Sequence, residues 1–238
     1  MTDTVILHRY PYKESSLLLK CLSRTQGLVT LVARGVRSKS AKRAGALGPF
    51  ARYHMEFQGR GEIKTLKHYE WLQSWPLQGM ALYAGLYCND LLLVFLPMGL
   101  DPENLFSVYL SLIQKLSEGL APSSAVRVFE SQLLHFLGLM PLLGEDCLGQ
   151  PIQPDLHYHL ESLASHPRPI LIPHPNVQGV QGCYRGAELL KIEAQDFESC
   201  EVNITAKRLF QNALKEASGR AGFRSREVLK RVLAGGLA

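Results

Sequence analysis

The chain has 238 residues, 46% hydrophobic and 20% charged, an ordinary globular composition that excludes disordered and collagen-like classes. Its net charge of +5 is unevenly spread: residues 1–75 carry 13 Lys/Arg against 5 Asp/Glu, residues 76–200 carry 5 against 13, and residues 201–238 carry 8 against 3. A basic first third beside an acidic middle is the footprint of a polyanion partner.

The length suits one large domain or two small ones, and two are expected. The opening MTDTVILHRYPYKESS has no cationic segment followed by an apolar run, and no stretch approaches the ~18 apolar residues of a membrane span, so a cytoplasmic protein is expected. The five cysteines, Cys21, Cys88, Cys147, Cys183 and Cys200, are odd in number and scattered, which reads as reduced thiols rather than a disulfide framework.

Along the chain, Val5 and Leu7, then Leu17, Leu19 and Cys21, alternate with polar residues at period 2. Thr25-Gln26-Gly27 supplies a turn before Leu28, Thr30 and Val32 resume the pattern, so three strands form a meander. A loop rich in Gly, Ser, Lys and Arg follows from Gly35 to Gly48. Phe50, Tyr53, Met55 and Phe57 then predict a fourth strand, Gly59-Arg60-Gly61 a turn, and Ile63–Leu72 a fifth strand. Five short strands in this span predict a closed Greek-key barrel of the OB type, with a six-stranded or SH3-like barrel as alternatives.

After Pro76 the period changes to 3.6. Leu82, Leu86, Leu91, Leu92 and Phe95 mark a helix ended by Pro97 and Gly99, and Asp101-Pro102 starts another through Leu105, Tyr109, Leu112, Ile113 and Leu116. Ser123 or Ser124 caps a third, through Val126, Phe129, Leu133 and Phe136 to Gly138. From Leu139 to Arg185 the sequence is rich in Pro, Gly and His and predicts an irregular insertion with one hairpin. Helices return at 186–192, 205–217 and 225–233. The expected class is therefore α+β: an OB barrel over 1–76, then a helical domain over 77–238 with the insertion at 139–185.

The densest chemical signal is Arg34-Gly35-Val36-Arg37-Ser38-Lys39-Ser40-Ala41-Lys42-Arg43, five cations without an acid on the loop joining two barrel strands. Such loops flank the face that tracks nucleic-acid backbones, where each phosphate contact releases counterions. The bland alternative is a solvated basic loop. Against it, Lys20, Arg24, Arg52, Arg60, Lys64 and Lys67 on neighbouring strands add charge that no acid is expected to balance. Tyr53, Phe57 and Tyr69 are candidate stacking platforms for unpaired bases, but their period favours the core. Near the end, Arg220, Arg224, Arg226, Lys230 and Arg231 make a basic helical face that either extends the track or is a solvated exterior.

Arg127 stands alone in an apolar helical stretch within the acidic region. A lone arginine there grips a carboxylate bidentately, the physics of peptide C-terminus recognition; an internal pair with Glu130 is favoured on spacing alone. Cys147, His157, His159, His166, His174 and Cys183 lack the two close pairs of a structural zinc site, and no metal is expected. There is no G-x-S-x-G, P-loop or convergent carboxylate cluster, so a binding protein without catalytic chemistry is expected over a metal-dependent nuclease using Glu145, Asp146 and Asp155.

Val32-Ala33-Arg34-Gly35-Val36-Arg37-Ser38-Lys39, Gly45–Phe50, Gly59–Leu66, Leu82–Leu92, Arg127 with Phe129-Glu130, and Ser225-Arg226-Glu227 together resemble the bacterial recombination mediator family RecO, in the same order across nearly the whole chain. The resemblance implies a cytoplasmic, nucleoid-associated DNA repair protein that binds single- and double-stranded DNA. It implies annealing of complementary strands coated by single-strand-binding protein (SSB), loading of RecA together with RecR, and docking of the acidic SSB tail at Arg127. Candidate DNA contacts are Arg34, Arg37, Lys39, Lys42, Arg43, Arg60, Lys64, Lys67, Arg224 and Arg226. Many relatives carry a four-cysteine zinc module in the insertion; here Cys147 and Cys183 alone stand at matching places, so neither metal nor other cofactor is expected. The alternative function is an RNA-binding OB module.

Overall fold

The computed structural model describes residues 1–37, 47–102, 104–161, 169–174 and 182–218. They divide into two compact units after Pro122.

In the first unit, β1 (Thr2–Tyr12), β2 (Ser16–Ser23), β3 (Gly27–Ala33), β4 (Ala51–Gln58) and β5 (Ile63–Ser74) close into a barrel with the order β1-β2-β3-β5-β4. Neighbours are antiparallel except β3 and β5, which run parallel because β4 lies between them in sequence but not in space. This is the five-stranded Greek-key closure expected of an OB barrel. Ile6, Leu19, Cys21, Val29, Leu31, Tyr53 and Met55 fill the interior. On the opposite face of the same strands Val5, Leu22 and Leu28 are buried as well. A sheet apolar on both faces needs a second layer.

That layer includes α1 (Gly79–Phe95) and α2 (Leu105–Ser117). Asn89 of α1 donates through Nδ2 to the Leu7 carbonyl at 2.8 Å, and Tyr109 of α2 donates its hydroxyl to Asn89 Oδ1 at 2.7 Å. Trp75 Nε1 donates to Gln114 Oε1 at 2.5 Å. A Cβ on Gly27, whose φ is +60°, would stand 1.9 Å from the Leu100 carbonyl oxygen, so this turn admits glycine alone. The period change at Pro76 marks the end of the barrel, whereas the compact unit continues through both helices. Asp101-Pro102 does not start α2. The helix begins at Leu105 with Asn104 at its cap, and the Leu105 N–H donates to the Pro102 carbonyl at 2.7 Å, so the Asp-Pro pair forms the turn ahead of it.

The second unit holds α3 (Pro122–Phe136), β6 (His157–Glu161), β7 (Ile170–His174), β8 (Cys183–Arg185), α4 (Gly186–Glu193) and α5 (Cys200–Ser218). The three strands form an antiparallel sheet in the order β7-β6-β8, so the insertion contains a sheet rather than one hairpin. Tyr158, Leu171 and Tyr184 are buried on one face. Ser124 Oγ of α3 donates to the Phe197 carbonyl at 3.1 Å, and Thr205 Oγ1 of α5 donates to Glu188 Oε2 of α4 at 2.6 Å. The helix expected at 225–233 lies outside the described residues.

Candidate nucleic-acid interface

The candidate cations fall into two groups on the barrel. Arg34 and Arg37 are exposed on the turn that leaves β3. This turn is fastened to the three-residue turn between β1 and β2: the Arg37 N–H donates to the Ser15 carbonyl at 2.9 Å, and Arg37 Nη1 to the Lys13 carbonyl at 3.4 Å. Lys13 itself adopts a φ of 51°, and its ammonium lies 5.6 Å from the centroid of the Tyr12 ring. The parallel register pairs Thr30 with Ile63, Leu31 with Lys64 and Val32 with Thr65. Lys13, Arg34 and Arg37 thus gather at one end of the barrel, while Lys67 is exposed along β5.

The second group sits toward the other end of β3. Arg60 is exposed on the β4–β5 turn, and half-buried Lys64 donates from Nζ to Gln26 Oε1 at 2.5 Å, 5.4 Å from the Phe57 ring centroid. Lys39, Lys42, Arg43, Arg224 and Arg226 lie outside the described residues. Lys13, absent from the sequence-derived set because it stands beside Glu14 in an unremarkable turn, joins the first group through the Arg37 bonds.

Arg24 and Arg52 do not supply the unbalanced charge expected of them. Both reach the Asp3 carboxylate, Arg24 Nε at 3.5 Å and Arg52 through a direct hydrogen bond, and His54 Nε2 lies 2.8 Å from its other oxygen. One acid at the start of β1 thereby serves three basic side chains brought to it from β4 and from the end of β2. Among the described residues, no ion pair engages Arg34, Arg37, Arg60 or Lys67.

Tyr53 is fully buried, with Phe57 and Tyr69 packed against the same core. Tyr53 and Tyr69 make an edge-to-face pair at 6.2 Å, and the Gly48 N–H donates to the Tyr53 hydroxyl at 3.2 Å. Burial pushes the Tyr53 hydroxyl above its ordinary value. All three serve packing, as their period suggested.

In the second unit Arg127 is not at the surface. Its Nη2 lies 3.0 Å from Glu130 Oε2 within α3, with side chains 5% and 0% exposed. This is the internal pair that the i,i+3 spacing favours. Nε and Nη1 of Arg127 have no hydrogen-bond partner among the described residues.

His157, His159, His174, Cys183 and Arg185 share the face of the small sheet opposite Tyr158 and Tyr184, as the cross-strand pairs His157–His174, His157–Arg185 and His159–Cys183 show. Among the described residues no group of three or more His, Cys, Asp or Glu side chains is placed to hold a metal ion. Cys147 is exposed and Cys183 half-buried, both as free thiols. No described helix is long and apolar enough to cross a membrane.

The family model described as Recombination protein O N terminal matches residues 1–75, and that described as Recombination protein O C terminal matches residues 77–223. The chain is 35% identical to DNA repair protein RecO of Vibrio cholerae serotype O1, covering 94% of this chain and 91% of that one. It is 34% identical to DNA repair protein RecO of Photobacterium profundum, with 94% and 92% covered, and 33% identical to that of Escherichia coli O139:H28, with 96% and 93% covered. A basic five-stranded barrel followed by a helical region, matched over both parts and along nearly its full length, makes this chain a member of the RecO family of DNA repair and recombination proteins.

Proposed function

We propose that the protein is a non-catalytic recombination mediator that binds single- and double-stranded DNA, anneals complementary strands coated by SSB, and helps load RecA together with RecR. The observation that carries this reading is the fastening of the Arg34–Arg37 turn onto the Lys13–Ser15 turn, which gathers cations without acid partners at one end of the barrel. Annealing needs no covalent step. Base pairing supplies the free energy, and a cationic surface lowers the repulsion between two phosphate backbones. Lys39, Lys42 and Arg43 follow Arg37 in the sequence, and Arg60 on the β4–β5 turn with Lys64 and Lys67 on β5 add further cations for DNA. Arg224 and Arg226 add a basic segment near the C-terminus. Neither a nucleotide, a metal ion nor another cofactor is required, and the site of action is the cytoplasm at the nucleoid.

The second contact in this proposal is the acidic C-terminal tail of SSB, held at Arg127. The two nitrogens of Arg127 without hydrogen-bond partners support it, since they are donors that a peptide carboxylate satisfies. The tail has to compete with Glu130 for a guanidinium that is already buried and paired.

The test is annealing of complementary strands pre-coated with SSB, with chelator and without nucleotide. Acceleration over the protein-free rate supports the proposal, and no acceleration removes it. Competition between DNA and RNA oligonucleotides of equal length separates the RNA-binding alternative, which a marked RNA preference would favour. DNA cleavage dependent on Mg²⁺ or Mn²⁺ would instead show a nuclease.

A further inference from the structure

Part of the outer barrel face is left aromatic and open. Beyond the register shift between Ile6 and His8, β1 presents His8 opposite Lys20, Tyr10 opposite Leu18 and Tyr12 opposite Ser16. Arg9 alternates to the other side and donates from Nη1 to the Leu47 carbonyl at 2.7 Å. The His8 and Tyr10 rings stack with centroids 4.3 Å apart and planes 13° from parallel, and Tyr10 is 40% exposed.

Cations frame this pair. Lys20 Nζ donates to Thr30 Oγ1 at 2.9 Å and has no ion pair among the described residues. Lys13 lies over the Tyr12 ring at the turn, where Arg37 hydrogen-bonds its carbonyl, against the single acid Glu14.

We propose that the stacked His8 and Tyr10 side chains are a base-stacking platform for single-stranded DNA, with Lys13, Lys20 and Arg37 holding the adjoining phosphates. The inference rests on the DNA-binding reading above and assigns its single-strand contact to named aromatic residues. Two nearly parallel rings in register along one strand offer a flat π surface, onto which a base continues the stack. Unpaired bases expose their faces, whereas bases inside a duplex have theirs covered by neighbours, so the platform discriminates between the two forms of DNA. Tyr53 cannot do this from the core, against which Phe57 and Tyr69 pack partly buried.

The experiment measures equilibrium binding of the full chain to an oligothymidine, to a duplex of equal length, and to a strand of equal charge carrying consecutive abasic sites. The double variant His8→Ala/Tyr10→Ala is expected to bind the oligothymidine about tenfold more weakly, the order expected when one or two bases no longer stack. Its duplex affinity and the salt dependence of both affinities should match the unsubstituted chain, and Tyr10→Phe should retain single-strand binding. The unsubstituted chain should prefer the intact strand to the abasic one, and the double variant should not. An unchanged oligothymidine affinity, equal losses on single strand and duplex, or indifference of the unsubstituted chain to abasic sites each overturns the platform while leaving DNA binding in place. Failure of the unsubstituted chain to bind any of the three overturns the DNA-binding reading itself.

Discussion

Asn89 and Leu7 are joined where the β1–β2 register shifts: the Asn89 side-chain N–H reaches the Leu7 carbonyl at 2.8 Å, while Asn89 Oδ1 accepts the Tyr109 hydroxyl. One buried amide thus ties β1, α1 and α2 together. Asn89→Ala removes both bonds, one to the Leu7 carbonyl and one from the buried Tyr109 hydroxyl. A loss of about 1–3 kcal/mol in unfolding free energy is expected from urea titration. Affinity for DNA, measured where the variant is fully folded, should be unchanged, because both residues are buried.

Charge that is free and charge that is already paired should behave differently in salt. Replacing Arg34, Arg37 and Lys39 together with Gln should weaken DNA binding and reduce the slope of log affinity against log salt by roughly 0.7–0.9 for each phosphate that is no longer neutralised. The Arg37 N–H bond to Ser15 is a backbone bond and survives the change. Arg52→Gln is the control, since its guanidinium is spent on Asp3; its slope should stay within error of the unsubstituted chain. Equal slopes for all three proteins would remove the turn from the interface.

These two cases show what the sequence carried and what it hid. The barrel was legible because period-2 alternation is a local signal, and residues 4–32 repeat it three times between turns. The Asp3 cluster was not legible: its partners Arg24, Arg52 and His54 come from 21 to 51 positions away, and only barrel closure brings them to one carboxylate. The sheet of the second unit escaped because its strands are 5, 5 and 3 residues long and rich in His and Pro, which weakens the alternation. The start of α2 was misplaced because Asp-Pro marks both helix starts and turns. The Arg127–Glu130 pair, three residues apart on one helix, was readable from spacing alone.

Arg127→Ala alone is a poor probe of SSB docking, because it takes the paired guanidinium away from the buried Glu130 carboxylate. Breaking one side of a buried pair costs about 3–5 kcal/mol, whereas replacing both sides with apolar residues of similar volume is often neutral. Arg127→Ala should therefore lower the urea midpoint sharply, and Arg127→Leu/Glu130→Leu should largely restore it. On the restored double variant, fluorescence anisotropy with a labelled SSB tail peptide should show that binding is abolished, with affinity for bare DNA retained. Undiminished peptide binding by this variant would assign Arg127 to structure alone.

Alkaline pH should unfold the protein through groups kept neutral by burial. Desolvation raises the Tyr109 hydroxyl well above its ordinary value and lifts those of Tyr53 and Tyr184 as well, and it pushes the Cys21 thiol up. In the unfolded chain tyrosine loses its proton near pH 10 and cysteine near 8.5, each as an ordinary exposed group. Between those values and the higher folded ones, the folded state holds more protons than the unfolded state. The derivative of unfolding free energy with pH is then negative, by up to about 1.4 kcal/mol per pH unit for each such group. Stability from these groups is full below pH 8 and is lost as pH rises through 9 to 11, first through Cys21 and then through the tyrosines. Urea midpoints measured at pH 8, 9, 10 and 11 should fall with increasing steepness, and Tyr109→Phe should shallow the decline above pH 10. A midpoint that stays flat to pH 11 would mean that these hydroxyls titrate as freely in the folded chain as in the unfolded one.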